Sequence, residues 1–257
     1  MKLHLKFVIY FIFLLCLSNC KKQEKNITVK HEIVKVEIDT LLEFPSSLTK
    51  NRILGKFDYT KDSTFVLIPL EVSSKTTYLR KEVWIAFNAL QNAAKKDSIN
   101  FKIISGTRDF EHQKRIWNYK WNTKYKKISP LERAKKILQF SAMPSTSRHH
   151  WGTDLDLNNL TNNYFSSGQG LKEYNWLVKN ASKFGFYQPY TSKENGRTGY
   201  NEEKWHWSYA PLSILYLEYY NKNINISDID NFDGFEFAKD LNIISNYVNG
   251  VHSKLLK

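Results

Sequence analysis

The sequence is poor in cysteine. Its 257 residues hold two, Cys16 and Cys20, both near the start. From residue 21 onward no disulfide can form and no cysteine-rich structural zinc site can be built, so stability must come from a packed core. Acidic residues are also scarce, with 25 Asp+Glu against 38 Lys+Arg and a formal net charge of +13. There is no internal repeat and no low-complexity tract. Long apolar runs are missing except for one at residues 7–17, which is shorter than the roughly 20 residues a membrane span needs.

That run follows the basic start Met1-Lys2-Leu3-His4-Leu5-Lys6, and the combination reads as a secretory signal. Leu17-Ser18-Asn19-Cys20 resembles a bacterial lipobox, with Asn19 where Gly, Ala or Ser is usual. The resemblance implies a signal peptide over 1–19, lipidation at Cys20 and a polar tether over 20–45. It places the chain in the bacterial cell envelope, lipid-anchored and facing the periplasm. Export removes nucleic acid from the partners a basic chain suggests. Anionic wall polymers, membrane surfaces and plain solvation of the surface remain.

Residues 46–257 are long enough for one well-buried domain with a helical C-terminal extension. Alternation over 29–38 fits a strand, and 65–69 is a short apolar run ended by Pro69. Leu79, Val83, Ala86, Leu90 and Ala94 share one face of a helix over 78–96. A strand over 101–106 and a helix carrying Ile116 and Trp117 come next. A helix over 131–140 follows Pro130, and an extended segment covers 152–157. A helix over 171–184 sets Tyr174, Leu177, Val178 and Ala181 on one side, and Gly185 stops it. A strand over 205–209 and helices over 211–220 and 235–251 complete an α+β fold, with helices packed on a small antiparallel sheet.

Two segments carry chemistry. Ser147-Arg148-His149-His150-Trp151-Gly152-Thr153-Asp154-Leu155-Asp156 and Glu203-Lys204-Trp205-His206-Trp207 supply histidines and aspartates suited to one zinc ion. They also supply a glutamate three residues before the last histidine. Three protein ligands and one open position make a catalytic rather than a structural zinc.

These segments resemble the paired motifs of the VanY-like zinc D,D-carboxypeptidases, Ser-x-His-x-x-Gly-x-Ala-x-Asp and Glu-Pro-Trp-His. Ser105-Gly106-Thr107-Arg108 with Gln113 resembles that family's upstream segment. The resemblance implies His149, Asp156 and His206 as ligands of one zinc per chain. It implies Glu203 as the base acting on a zinc-bound water, and Arg108 as support for the oxyanion. Ser147, Gln113 and Ser105 are implied substrate contacts. Asp154 stands where the family usually has alanine and Lys204 where it has proline. Two residues from Asp156, Asp154 shares its strand face. It either competes for the metal or holds a ligand in place. His150 is set aside because strand neighbours face opposite ways. His112 reads as an ordinary surface or capping residue, and Trp151, Trp205 and Trp207 as packing around the site.

The implied reaction removes the terminal D-Ala from peptidoglycan stem peptides, and a monomer is expected. An L,D-carboxypeptidase and a cross-link endopeptidase are the alternatives within the class. A non-catalytic, zinc-containing wall-binding lipoprotein is the alternative outside it.

Overall fold

A computed structural model describes residues 44–257. The signal, Cys20, the strand expected over 29–38 and nearly all of the tether lie outside the described residues. Phe44, at the tether's far end, packs edge-on against Tyr219 at 5.1 Å.

The elements run α1 (Lys50–Ile53), β1 (Phe65–Leu67), β2 (Tyr78–Arg80), α2 (Lys81–Lys96), β3 (Ile103–Ser105), α3 (Phe110–Tyr119) and α4 (Pro130–Ile137). They continue with β4 (Asp154–Leu157), α5 (Gly168–Asn180), β5 (Phe186–Tyr187), β6 (His206–Tyr209) and α6 (Ala210–Asn223). Strands β1 and β2 form an antiparallel pair, and β3-β4-β6-β5 form an antiparallel sheet. The α+β architecture expected from the sequence is the one observed. Among the described residues no helix is long and apolar enough to cross a membrane.

The four-stranded sheet separates chemistry from core. Along Asp154-Leu155-Asp156-Leu157 successive side chains point to opposite faces. Leu155, Leu157 and Trp207 join a buried cluster with Val83, Phe87 and Leu90 of α2 and Leu177 of α5. The carboxylates take the other face, where Asp156 pairs in register with His206 and Asp154 with Ser208. A second apolar cluster, including Ile53, Trp117, Trp151 and Tyr220, ties α1, α3 and α6 together.

The structure differs from the sequence reading at the edges of helices. Helix α2 starts at Lys81 because Tyr78–Arg80 hydrogen-bonds as a strand to Phe65–Leu67. In α5 the buried side holds Leu177 and Glu173, while Val178 is 60% exposed. Tyr164 and Gln169 bond the Glu173 carboxylate, which lets it replace an apolar residue there. The expected helix over 235–251 is broken into turns at Phe235–Ala238 and Ile244–Val248. Asn242 between them has φ 48°, a left-handed conformation that ends a helix.

Candidate functional site

Strands β3, β4 and β6, helix α3 and the loops beside them bring the motif residues to one cleft of about 310 Å³. His149 lies in the 3-10 turn Arg148–Trp151, not on a strand. That turn ends at Gly152, whose φ is 70° and whose Cβ, if present, would sit 2.4 Å from the Phe65 ring. Only glycine meets both demands, and the chain then enters β4 with Asp154 and Asp156 facing the cleft side. His206 opens β6 beside Asp156, and Glu203 precedes it in the connecting turn.

One ligand atom from each of His149, Asp156 and His206 lies within 4.8 Å of the others. His149 Nε2 is 3.4 Å from Asp156 Oδ2, and His206 Nδ1 is 3.5 Å from Asp156 Oδ1. Hydrogen bonds choose the tautomers. His149 Nδ1–H donates to the Gly106 carbonyl at 2.8 Å, which leaves Nε2 as the basic atom. His206 Nε2–H donates to Asp154 Oδ2 at 2.9 Å, which frees Nδ1.

These donors fit a metal. His149 Nε2 and Asp156 Oδ1 are buried and have no hydrogen-bond partner. Buried polar atoms left this way are uncommon and need a reason. Two imidazole nitrogens and one carboxylate are a donor set zinc accepts, and each histidine has the outer hydrogen bond such ligands carry.

The electrostatics agree. Burial, then the neighbouring Arg108, lowers His149 to about 4, so its ring is neutral at pH 7. Burial would raise Asp156, but His149 and His206 bring it down to about 2. Burial also pulls His206 down, yet bonds to Asp154 and Glu203 and the field of Asp156 lift it to about 9. The positive charge these carboxylates favour at His206 is the charge a divalent cation would bring.

Glu203 Oε2 lies 3.2 Å from His206 Nδ1. Burial raises the Glu203 carboxyl above its usual range, partly opposed by His206. Arg108 is half-buried on the same wall, its Nε enclosed and without a partner, and desolvation lowers its pKa despite Asp156 and Glu203. Ser105 and Ser147 line the cleft. So does Gln113, whose Nε2 donates to the Ala142 carbonyl at 2.8 Å while its Oε1 is unpartnered.

Asp154 has a separate position. It accepts from Arg148 Nε at 2.9 Å, Thr153 Oγ1 at 2.6 Å, Ser208 Oγ at 2.8 Å and His206 Nε2. Both its oxygens are occupied by protein donors, so of the two roles open to it, holding a ligand is the one the geometry favours. His150 is buried and fully used: Nδ1–H donates to the Arg108 carbonyl at 2.7 Å, and Nε2 accepts from the Ser145 N–H at 3.2 Å. The His112 N–H meets the Asp109 side chain that caps α3. Trp151 and Trp207 are buried in the two apolar clusters, and Trp205 stacks near Phe140 at the cleft wall.

Arg148, Ser208 and Tyr190 were missing from the sequence reading. Arg148 sits inside the first motif, and a charged residue among buried neighbours signals a counter-ion close by. Tyr190, whose ring lies 4.9 Å from that of His206, carries no local signal.

The family model for VanY, D-alanyl-D-alanine carboxypeptidase, matches residues 76–212. The D-alanyl-D-alanine carboxypeptidase of Enterococcus faecium is 27% identical over 176 residues, 67% of this chain and 49% of that protein. YodJ of Bacillus subtilis (strain 168) is 30% identical over 138 residues, 52% of this chain and 46% of that protein. The chain thus spans about half the length of the curated relatives it matches. A mutant of the vancomycin resistance D,D-pentapeptidase VanY, solved in complex with Zn(II), is 24% identical. That match covers 65% of this chain and 89% of that one, with a TM-score of 0.47. The family match takes in more than half of the 257 residues and includes both motifs that meet in the cleft, and the chain belongs to the VanY D-alanyl-D-alanine carboxypeptidase family.

Proposed function

We propose that this protein is a zinc-dependent carboxypeptidase that removes the terminal D-Ala from peptidoglycan stem peptides ending in D-Ala-D-Ala. The observation that carries the reading is the convergence of three buried donor atoms, two of them unpartnered, with a buried glutamate beside them. His149 Nε2, Asp156 and His206 Nδ1 would hold the ion. When bound, zinc supplies Lewis acidity that polarises a carbonyl oxygen and acidifies a water. Glu203, its carboxylate made more basic by burial, takes the proton of the attacking water. It then passes a proton to the amine of the departing D-Ala as the C–N bond breaks. Arg108 directs fixed positive charge at the oxygen where negative charge develops. Gln113 offers its free Oε1 to a substrate N–H.

Zinc-loaded soluble protein incubated with defined muropeptides, with products weighed by mass spectrometry, tests the reaction. Loss of one alanine from pentapeptides, abolished by chelator, supports it. Cleavage of cross-linked dimers, or of tetrapeptides alone, would move the reading to an endopeptidase or an L,D-carboxypeptidase. No product from any stem peptide, with retention by cell walls, would make the protein a binding module.

Metal analysis of single variants tests the donor set. His149→Ala and His206→Ala should each lose stoichiometric zinc. Asp154→Ala should weaken binding by about 10- to 100-fold, the usual cost of losing an outer partner. Asp156→Ala should weaken it more. The reverse order would make Asp154 the ligand.

We also propose that the chain is lipid-anchored at Cys20 in the cell envelope, a reading that rests on the apolar run and the lipobox-like Leu17-Ser18-Asn19-Cys20. Cys20→Ser should shift the protein from membrane to soluble fractions. Unchanged retention, with no lipid mass on the N-terminal peptide, counts against acylation.

A further inference from the structure

Helix α3 turns one side to the cleft. Gln113, Ile116 and Lys120, three and four residues apart, all line it. Lys120 stands where α3 gives way to the π-helical turn Lys120–Lys124, a local widening that recurs at functional sites. Its ammonium donates to the Ser141 hydroxyl, which lines the same cleft. Among the described residues no carboxylate lies within ion-pair distance of Lys120, whereas Lys50 and Lys56 on the surface are paired with Asp228 and Asp230. Burial, and then the neighbouring Lys124 and Arg108, lowers the Lys120 pKa, with Glu203 acting in the opposite direction.

The charge in the cleft is therefore uneven. Its acids, Asp156 and Glu203, are engaged with the histidines. Lys120 is a half-buried cation with three N–H donors and one neutral protein acceptor. A cation held this way gains by meeting an anion, and none of the described residues supplies one; the anion we look to is the substrate's.

We propose that Lys120, steadied by Ser141, anchors the free C-terminal carboxylate of the peptide substrate and so selects chain ends over internal bonds. The proposal rests on the carboxypeptidase reading, in which that carboxylate lies one residue beyond the scissile carbonyl. The carbonyl stays with Arg108 and the donor cluster, and the departing residue extends toward α3. An internal peptide bond brings no charge to that position and leaves the ammonium without its partner.

The test compares a D-Ala-D-Ala-terminated peptide with its C-terminal amide. Affinity for each is measured by calorimetry on the zinc-loaded Glu203→Gln chain, and kcat/KM on the active chain. With Lys120 present the acid should be preferred by about 10- to 100-fold, the range of a charge-assisted hydrogen bond. In Lys120→Met the preference should fall toward unity, and Lys120→Arg should restore much of it. Lys120→Gln, which keeps a donor for Ser141, serves if the Met variant folds poorly, and should also lose the preference. An unchanged acid-to-amide ratio would overturn the proposal, and so would equal losses on both peptides, which mark a packing role. If the active chain hydrolyses neither peptide, the carboxypeptidase reading fails while the binding ratio still decides the anchor. Failure of the acid peptide to bind the Glu203→Gln chain also overturns it.

Discussion

Glu203→Gln is expected to fold, keep its zinc and lose turnover. The substitution preserves size and removes the proton acceptor. Glu203 lies 3.2 Å from a proposed zinc ligand through His206, yet it is not in the donor cluster itself. Its carboxyl is raised by burial, so its basicity is better matched to neutral pH than that of an exposed carboxylate. Groups that move protons in the transition state typically contribute about 10²- to 10⁴-fold, so kcat should fall by at least two orders of magnitude. The measurement is kcat on a D-Ala-D-Ala-terminated peptide, with zinc content determined on the same sample. A near-normal kcat at full zinc occupancy would remove Glu203 from the mechanism. Lost zinc would instead mean that the glutamate supports the metal directly.

Arg148→Met should cost stability first and activity second. Arg148 and Asp154 are almost wholly inaccessible to solvent, at 1% and 0% exposed. Their ion pair is 2.9 Å long, and the guanidinium also donates to Ser208 and stacks over Trp151. Removing one member of such a pair leaves an uncompensated buried charge, at a cost of about 3–5 kcal/mol. Burial alone would raise the Asp154 carboxyl, but Arg148, followed by His206, holds it well below the usual range. A carboxyl depressed in the folded state stabilises above its unfolded pKa of about 3.9, and that contribution fades as pH falls toward the folded value. The deficit of Arg148→Met should accordingly be full at pH 7 and shrink in acid. Denaturant midpoints across pH measure it. Adding Asp154→Asn should recover part of the loss, since no bare charge then remains. Equal stability of Arg148→Met and wild type at pH 7 would contradict this account.

The candidate donor set was readable from sequence because the spacing within each motif is local. Asp154-Leu155-Asp156-Leu157 alternates, so a strand must set two acids against two leucines, and the next motif brings a histidine to the neighbouring strand. Register with the family motif favours His149 over His150, and strand alternation, which would set the two histidines on opposite faces, does not apply in a 3-10 turn. What separates the two histidines is tertiary: His150 spends both ring nitrogens on Arg108 and Ser145, while His149 spends one. No periodicity in the sequence could show that. Helix ends were misread where pairing competed with propensity, as at Tyr78–Arg80, and where a single left-handed residue, Asn242, broke an apolar pattern. Lys120 carries no local signal in the sequence, because only the packing of α3 against the segment carrying Ser141 turns it inward.

The loop bearing Arg108 and the turn bearing His149 are stitched together. The Arg108 N–H donates to the His149 carbonyl at 3.1 Å, the His149 ring donates to the Gly106 carbonyl, and the His150 ring donates to the Arg108 carbonyl. Three bonds across so short a seam make the two segments one mechanical part. Any displacement of the arginine therefore drags a proposed metal ligand with it, and neither can be adjusted alone. Variation in which bond is cut is expected instead at cleft-lining residues outside the seam, such as Ile116, Lys120 and Phe140. An engineer seeking a new substrate should randomise those residues and leave the stitched segments alone.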